Sequence, residues 1–263
     1  MVRANPSIVT ALCWAYWDLA RCLRVLWRPS LIAFAILCAG ILAALIAPVR
    51  LADGPVGQEL MRLAFLAAVC FLLTPYLLAI HRFVILGETA PRYKFEISSE
   101  RFQLYCGWLV VIIVLFNIPS VLEALTTPRG VIYYVGAPLG FAEPSIMVKL
   151  TSLVRFPIIE CLLVLFPALA IDAPGAAWQN AIRDTCQRIG FALFLVVLSL
   201  APVGFLAYAA SPLLRIAPKS FAGLLAILFL GAMFLLLSLL SAVVASRLYQ
   251  IIGDRLNRPR PDS

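Results

Sequence analysis

The sequence predicts an all-α fold: a polytopic membrane bundle of six transmembrane helices, with amphipathic helices lying along its cytoplasmic interface. Three observations carry this prediction: the composition, six long apolar runs, and the sorting of cationic residues between the loops. Of 263 residues, 63% are hydrophobic and 13% charged, and the mean hydropathy is +1.00. A soluble domain is roughly 45–50% apolar and about 25% charged, because its surface has to meet water. This balance excludes a soluble enzyme and a disordered tail, and it argues against a disulfide scaffold.

A helix crossing about 30 Å of hydrocarbon needs about 20 mostly apolar residues. Six runs satisfy this, at approximately 31–49, 60–80, 104–125, 148–171, 189–209 and 221–246. The last holds no charge between Phe221 and Arg247. The runs are continuous and rich in Leu, Ala and Val, whereas barrel strands would alternate over about ten residues. The run at 31–49 exceeds the roughly 7–15-residue apolar core of a signal peptide, so it is expected to be a retained span. The whole chain, 1–263, then forms one membrane domain.

The 21 Lys and Arg sort unevenly. One side takes Arg3, Arg21, Arg24, Arg28, Arg82, Arg92, Lys94, Arg101, Arg183, Arg188, Arg247, Arg255, Arg258 and Arg260, a total of 14. The other takes Arg50, Arg62, Arg129, Lys149, Arg215 and Lys219, a total of 6, and Arg155 falls inside the fourth run. The positive-inside rule places the richer side, with both termini, in the cytoplasm, as an even number of spans requires. The expected setting is a bacterial inner membrane. The net charge of +8 then points to anionic lipid at the cytoplasmic face rather than to nucleic acid, for which no extramembrane basic domain is present.

Residues 7–28 separate into Ile8, Leu12, Tyr16, Ala20, Leu23 and Trp27 on one helical face, against Ser7, Thr10, Asp18, Arg21, Arg24 and Arg28 on the other. This is the pattern of a helix lying in a membrane interface. A similar pattern sets Trp178, Ala181 or Ile182, Cys186 and Ile189 against Gln179, Arg183, Asp184 and Arg188, with Asp172 and Pro174 where a helix start would put them. A shorter version covers Phe95 to Arg101. The chain therefore divides into 7–80, 93–171 and 174–246, each an interfacial helix followed by a hairpin, read either as a threefold repeat or as ordinary hairpin topology. The outer loop Thr126–Met147 is rich in Gly, Pro and aromatic residues, which suits an irregular interfacial segment.

The motifs of nucleotide, metal or serine chemistry are absent. The seven cysteines form no CxxC, and His81 is the single histidine, so neither a zinc site nor a disulfide framework is expected, and no cofactor. The cysteines read as small packing residues, and His81 as a polar anchor at the membrane interface. The fourth run carries the unusual chemistry. Arg155 and Glu160 stand deep within it, with Pro157 between them and Pro167 beyond. Ionisable groups at that depth face a bundle interior or a cavity. Five positions on an ideal helix turn through 500°, so Arg155 and Glu160 are on different faces. Asn117 and Glu123 on the third run are the expected partners of Arg155, with Glu160 facing the bundle interior.

The segment Phe166-Pro-Ala-Leu-Ala-Ile-Asp172, followed by Trp178 and a charged helix, resembles the membrane domain attached to some glycerophosphodiester phosphodiesterases and its free-standing bacterial relatives. A weaker echo is His81-Arg82 with Leu86-Gly87-Glu88. The resemblance implies that Pro167 and Asp172 close one span and that a helix containing Trp178 leads into the next, with Gly87 and Glu88 as further structural positions. The phosphodiesterase's catalytic domain has no counterpart here, so its activity is not implied. Three functions follow from the sequence in order of preference. The first is a non-catalytic membrane module contacting lipid or a partner membrane protein through its basic face. The second is a solute or ion transporter built on the fourth span, and the third an enzyme acting on lipid head groups with His81 and Glu88 as its acid–base pair.

Overall fold

The computed structural model describes residues 6–51, 54–89, 93–126, 159–210 and 221–257. Among them the regular elements are all helical: α1 (Ile8–Val25), α2 (Trp27–Leu51), α3 (Gly54–Leu86), α4 (Glu100–Thr126), α5 (Leu165–Ala170), α6 (Trp178–Cys186), α7 (Ile189–Ala210) and α8 (Phe221–Ile252). Five of these, α2, α3, α4, α7 and α8, are long and apolar enough to cross a membrane, which makes the chain a multi-pass membrane protein. The run at 148–171 is described only from residue 159, as the apolar stretch Ile159–Ala170.

Two helices outrun their expected spans. α3 continues past residue 80 to Leu86, and α8 past residue 246 to Ile252. His81, Arg82 and Arg247 are polar residues at which a hydropathy window stops. The helices continue because each of these side chains finds a partner inside the protein. The helix stop is instead Gly87, whose φ of +73° ends α3 while its N–H reaches the Phe83 carbonyl at 3.0 Å.

α3 packs chiefly on α2 and α4, and α8 on α7, α2 and α3. Glycines allow the closest crossings: a Cβ at Gly40 would come within 2.6 Å of Val69 Cγ2, and one at Gly231 would collide with Cys38 Sγ. Three contacts set the relative heights. Ser30 on α2 shares a hydrogen bond with Tyr76 (3.0 Å), the Phe102 ring on α4 meets Phe71 edge-on (5.5 Å), and Tyr93 donates to the Leu72 carbonyl (2.5 Å). Ser30 lies one turn inside α2, and Tyr105, bonded to His81, lies in the second turn of α4, so both helices begin close to the end of α3. The end of α8 lies beside it. Around these helix ends gather α1, α5, α6 and much of the fully buried core, including Ile80, Leu165, Leu239, Leu248 and Leu256.

α5 is short for a local reason. Pro167 has no N–H for the Leu163 carbonyl and its ring crowds that group, so the helical stretch breaks at Val164. All six α5 residues are buried, between α3, α4 and α8. It ends in a Schellman arrangement: Asp172 N–H meets the Leu169 carbonyl (3.3 Å) and Ala173 N–H the Ala168 carbonyl (2.9 Å), with Asp172 left-handed at φ 54°. Asp172 thus stops one helix rather than starting the next. α6 begins at Trp178 without a side-chain cap.

Two expected faces are corrected. α1 buries Ala11, Ala15, Asp18 and Cys22, whereas Tyr16, Ala20 and Trp27 from the expected apolar stripe are exposed. Small residues win because they let α1 lie close against α8 and α7. α6 likewise buries Asp184 with Ala181 and Thr185. The expected helix at Phe95–Arg101 is not formed: residues 93–96 have no regular structure, 97–99 turn, and Arg101 belongs to α4. Ser99 caps that helix, its Oγ accepting from Phe102 N–H at 3.2 Å. A separate helix therefore precedes the long helices at α1 and α6 but not in the middle unit.

Candidate functional site

The most concentrated polar chemistry lies where α3, α4 and α8 meet at His81. Its Nδ1 is 2.7 Å from Ser246 Oγ, and its Nε2 is 2.9 Å from Tyr105 Oη. Ser246 donates its single proton to the Ala242 carbonyl one turn back (2.9 Å). It must then accept from His81, which fixes the proton on Nδ1 and leaves Nε2 to accept from Tyr105. The chain runs Tyr105 O–H to His81, His81 N–H to Ser246, Ser246 O–H to Ala242, with every donor used. All three side chains are buried, and the Phe166 ring of α5 meets Tyr105 edge-on at 5.0 Å. Chemically this is a clamp across three helices. The Ser246 proton points away from the imidazole, the reverse of an activated nucleophile. His81 is therefore not the interfacial anchor expected, because its partners lie on other helices, out of sight of the local sequence.

A second set of ties surrounds the end of α8. Arg247 donates from Nε and Nη2 to Asp18 of α1, reaches Gln250 from Nη1 (2.9 Å), and lies over the Trp14 ring. Asp184 of α6 accepts backbone N–H bonds from Arg255 (2.8 Å) and Leu256 (3.2 Å) through Oδ2. Burial pushes its carboxyl above the usual range, against the pull of those two donors and of Arg255. Arg82 holds Glu88 (2.7 Å from Nε) and the Ala170 carbonyl at the end of α5 (3.1 Å), while Arg101 holds Asp172 (2.7 Å). Glu88 is thus engaged with Arg82 at the surface while His81 is enclosed with Tyr105 and Ser246. The proposed acid–base pair is not assembled.

At the opposite end, Arg62 binds Glu59 (2.8 Å) and Asn117 Oδ1 (2.9 Å), and Asn117 Nδ2 donates to the Ile113 carbonyl (2.8 Å). Arg62, expected among the outer-side charges, is a largely buried residue of α3. It donates to Asn117, the residue also expected to meet Arg155. Arg155 and the side chain of Glu123 lie outside the described residues. Glu160 is buried at 4% exposure, and its Oε2 has no hydrogen-bond partner among the described residues. Pro167, Asp172 and Trp178 occupy the break, the stop and the next helix start, and Trp178 is exposed. Among the described residues no group of three or more His, Cys, Asp or Glu is placed to hold a metal ion.

Glu59 and Arg62 stand three apart on one helix, a spacing readable in advance. The His81 clamp carried no such signal. Compared with models of protein families, with curated proteins and with solved structures, the chain matches none.

Proposed function

We propose that the chain is a non-catalytic membrane module with six spans and both termini cytoplasmic, set in a bacterial inner membrane, which contacts anionic lipid and a partner membrane protein through its basic end. The observation that carries this reading is the division of labour at that end. Of the ionisable side chains buried there, Asp18, His81 and Asp184 are taken up in ties between helices. Arg21, Arg24 and Arg28 are exposed and interleaved with exposed Trp14, Trp17 and Trp27, while exposed Glu88 and Asp172 are paired with Arg82 and Arg101. Cationic and aromatic residues together suit the headgroup layer of an anionic leaflet. The resemblance to phosphodiesterase-linked membrane domains belongs to the same proposal: the break at Pro167, the stop at Asp172 and the helix from Trp178 support its architectural part.

The test is purification from native membranes with bound lipids and proteins identified, for the wild type and for Arg21→Glu, Arg24→Glu and Arg28→Glu combined. Retained anionic lipid should fall several-fold in the triple variant while the fold persists. Equal retention would sink the lipid part of the proposal.

One observation favours a second reading. A buried Glu160 Oε2 with no partner among the described residues is what a proton or cation site in a transporter would leave between substrates. On that reading Glu160→Gln folds normally but abolishes ion or solute flux in proteoliposomes. On the module reading it leaves folding and lipid retention unchanged.

A further inference from the structure

Cys161 and Cys186 place their sulfurs 3.9 Å apart, across a gap between the stretch 159–163 and the last turn of α6. The two are unlike in access: Cys161 is buried and Cys186 exposed. A separate contact holds the segments in register, because Thr185 Oγ1 donates to the Cys161 carbonyl at 3.4 Å. We propose that Cys161 and Cys186 are a redox modification site, forming a reversible intramolecular disulfide when a hydroperoxide reaches Cys186.

A disulfide bond is about 2.05 Å long, so the sulfurs must close by roughly 1.9 Å. Closing that distance requires side-chain rotation with a shift of α6, whose buried residues are Ala181, Asp184 and Thr185. The exposed thiol meets the oxidant first. The Cys186 thiolate attacks the peroxide, the O–O bond breaks, and Cys186 becomes a sulfenic acid as water leaves. The Cys161 sulfur then attacks the Cys186 sulfur, passing its own proton to the departing hydroxide, which leaves as a second water. Two thiols are oxidised and one hydrogen peroxide is reduced. A thiol supplied in excess reverses the bond by exchange.

The site lies on the side to which the positive-inside bias assigns the cytoplasm, where cellular thiols keep such a pair reduced and a disulfide is transient. The bond would close the chain from 161 to 186 into a ring around α5 and its Asp172 stop. It would also anchor α6 to the residue next to Glu160. The inference does not depend on the proposed function.

The experiment uses the full chain, purified with its thiols reduced, then treated with hydrogen peroxide, alkylated and mapped by mass spectrometry. The expected result is a peptide pair linking Cys161 to Cys186 within one chain, lighter by two hydrogens and released by dithiothreitol. Cys161→Ser should stop at a sulfenic acid on Cys186 that dimedone traps, and Cys186→Ser should leave Cys161 unoxidised. Peroxide that converts wild-type Cys186 to sulfinic acid with no link to Cys161 would overturn the proposal. So would a link from either residue to another cysteine or another chain, or two thiols that peroxide leaves untouched. The wild-type map alone decides these outcomes if a variant fails to fold.

Discussion

At the scale of single residues, the His81 clamp turns hydrogen-bond accounting into a measurable stability. Ser246→Ala leaves the His81 Nδ1–H without an acceptor in a dry site. If the imidazole changes tautomer, the orphan becomes the Tyr105 hydroxyl. Either outcome strands one buried donor, at a cost of about 1–3 kcal/mol. Thermal unfolding in detergent should therefore shift down for Ser246→Ala, whereas Ser241→Ala, in the same helix but outside the clamp, should be nearly silent. Equal shifts would deny the clamp its role. A companion contrast concerns the thiols of α1. Burial, and then the neighbouring Asp18 carboxylate, pushes Cys22 up to about 12, so it should resist alkylation in the folded chain while exposed Cys13 reacts. The residue types were legible in the sequence, but their pairings were not. His81, Tyr105 and Ser246 come from three helices, and no local spacing relates them.

At the scale of elements, helix stops and buried carboxylates are where the reading fell short. Asp172 was legible as a boundary residue, yet its left-handed backbone is visible only in the fold. Asp172→Gly should relieve that strain and Asp172→Ala should retain it, so glycine should be the milder change by about 1 kcal/mol. Both lose the Arg101 pair. That pair contributes little here, because the Asp172 side chain is 63% exposed. A larger loss for glycine would mean the ion pair, not the turn, is what matters. Asp18 and Asp184 were assigned to polar faces because amphipathic patterning equates charge with solvent. Each is instead the group that fastens its helix to the end of α8. The pH dependence of Asp184 follows from its raised affinity for protons. A carboxyl with a higher folded than unfolded pKa loses stability as pH rises through the interval above 3.8 and regains it as pH falls. Asp184→Asn cannot titrate. Wild-type melting temperature, measured relative to that variant, should therefore rise between about pH 7 and about pH 4. A falling difference would show that Arg255 and the two backbone donors outweigh burial.

For the whole molecule, helix length places a boundary. On α8, the roughly 20 residues that cross 30 Å of hydrocarbon, counted from Phe221, end at about Leu240. His81 faces Ser246, so five residues back along each helix Tyr76 stands level with Ser241, which puts the same boundary near Tyr76 on α3. Counted the other way from Tyr76, the opposite face lies near Val56, which puts Glu59, Arg62 and Asn117 just inside it, where a charge needs the partners they supply each other. On this count, the last turns of α3 and α8 with α1, α5 and α6 lie past the hydrocarbon as a cap packed like a small soluble core. Five of the six expected runs are helices long enough to span, and hydropathy cut α3 and α8 short. A cap outside the hydrocarbon must be reachable by polar reagents. Glu88→Cys, at an exposed position past the end of α3, should react with a membrane-impermeant maleimide in inside-out vesicles and not in intact cells. Leu228→Cys, exposed on the fold but level with lipid, should stay unlabelled until detergent is added. Labelling of Glu88→Cys from the outside would invert the topology. Labelling only in detergent would put the cap in the bilayer, and the long ends of α3 and α8 would then need a steep tilt to fit.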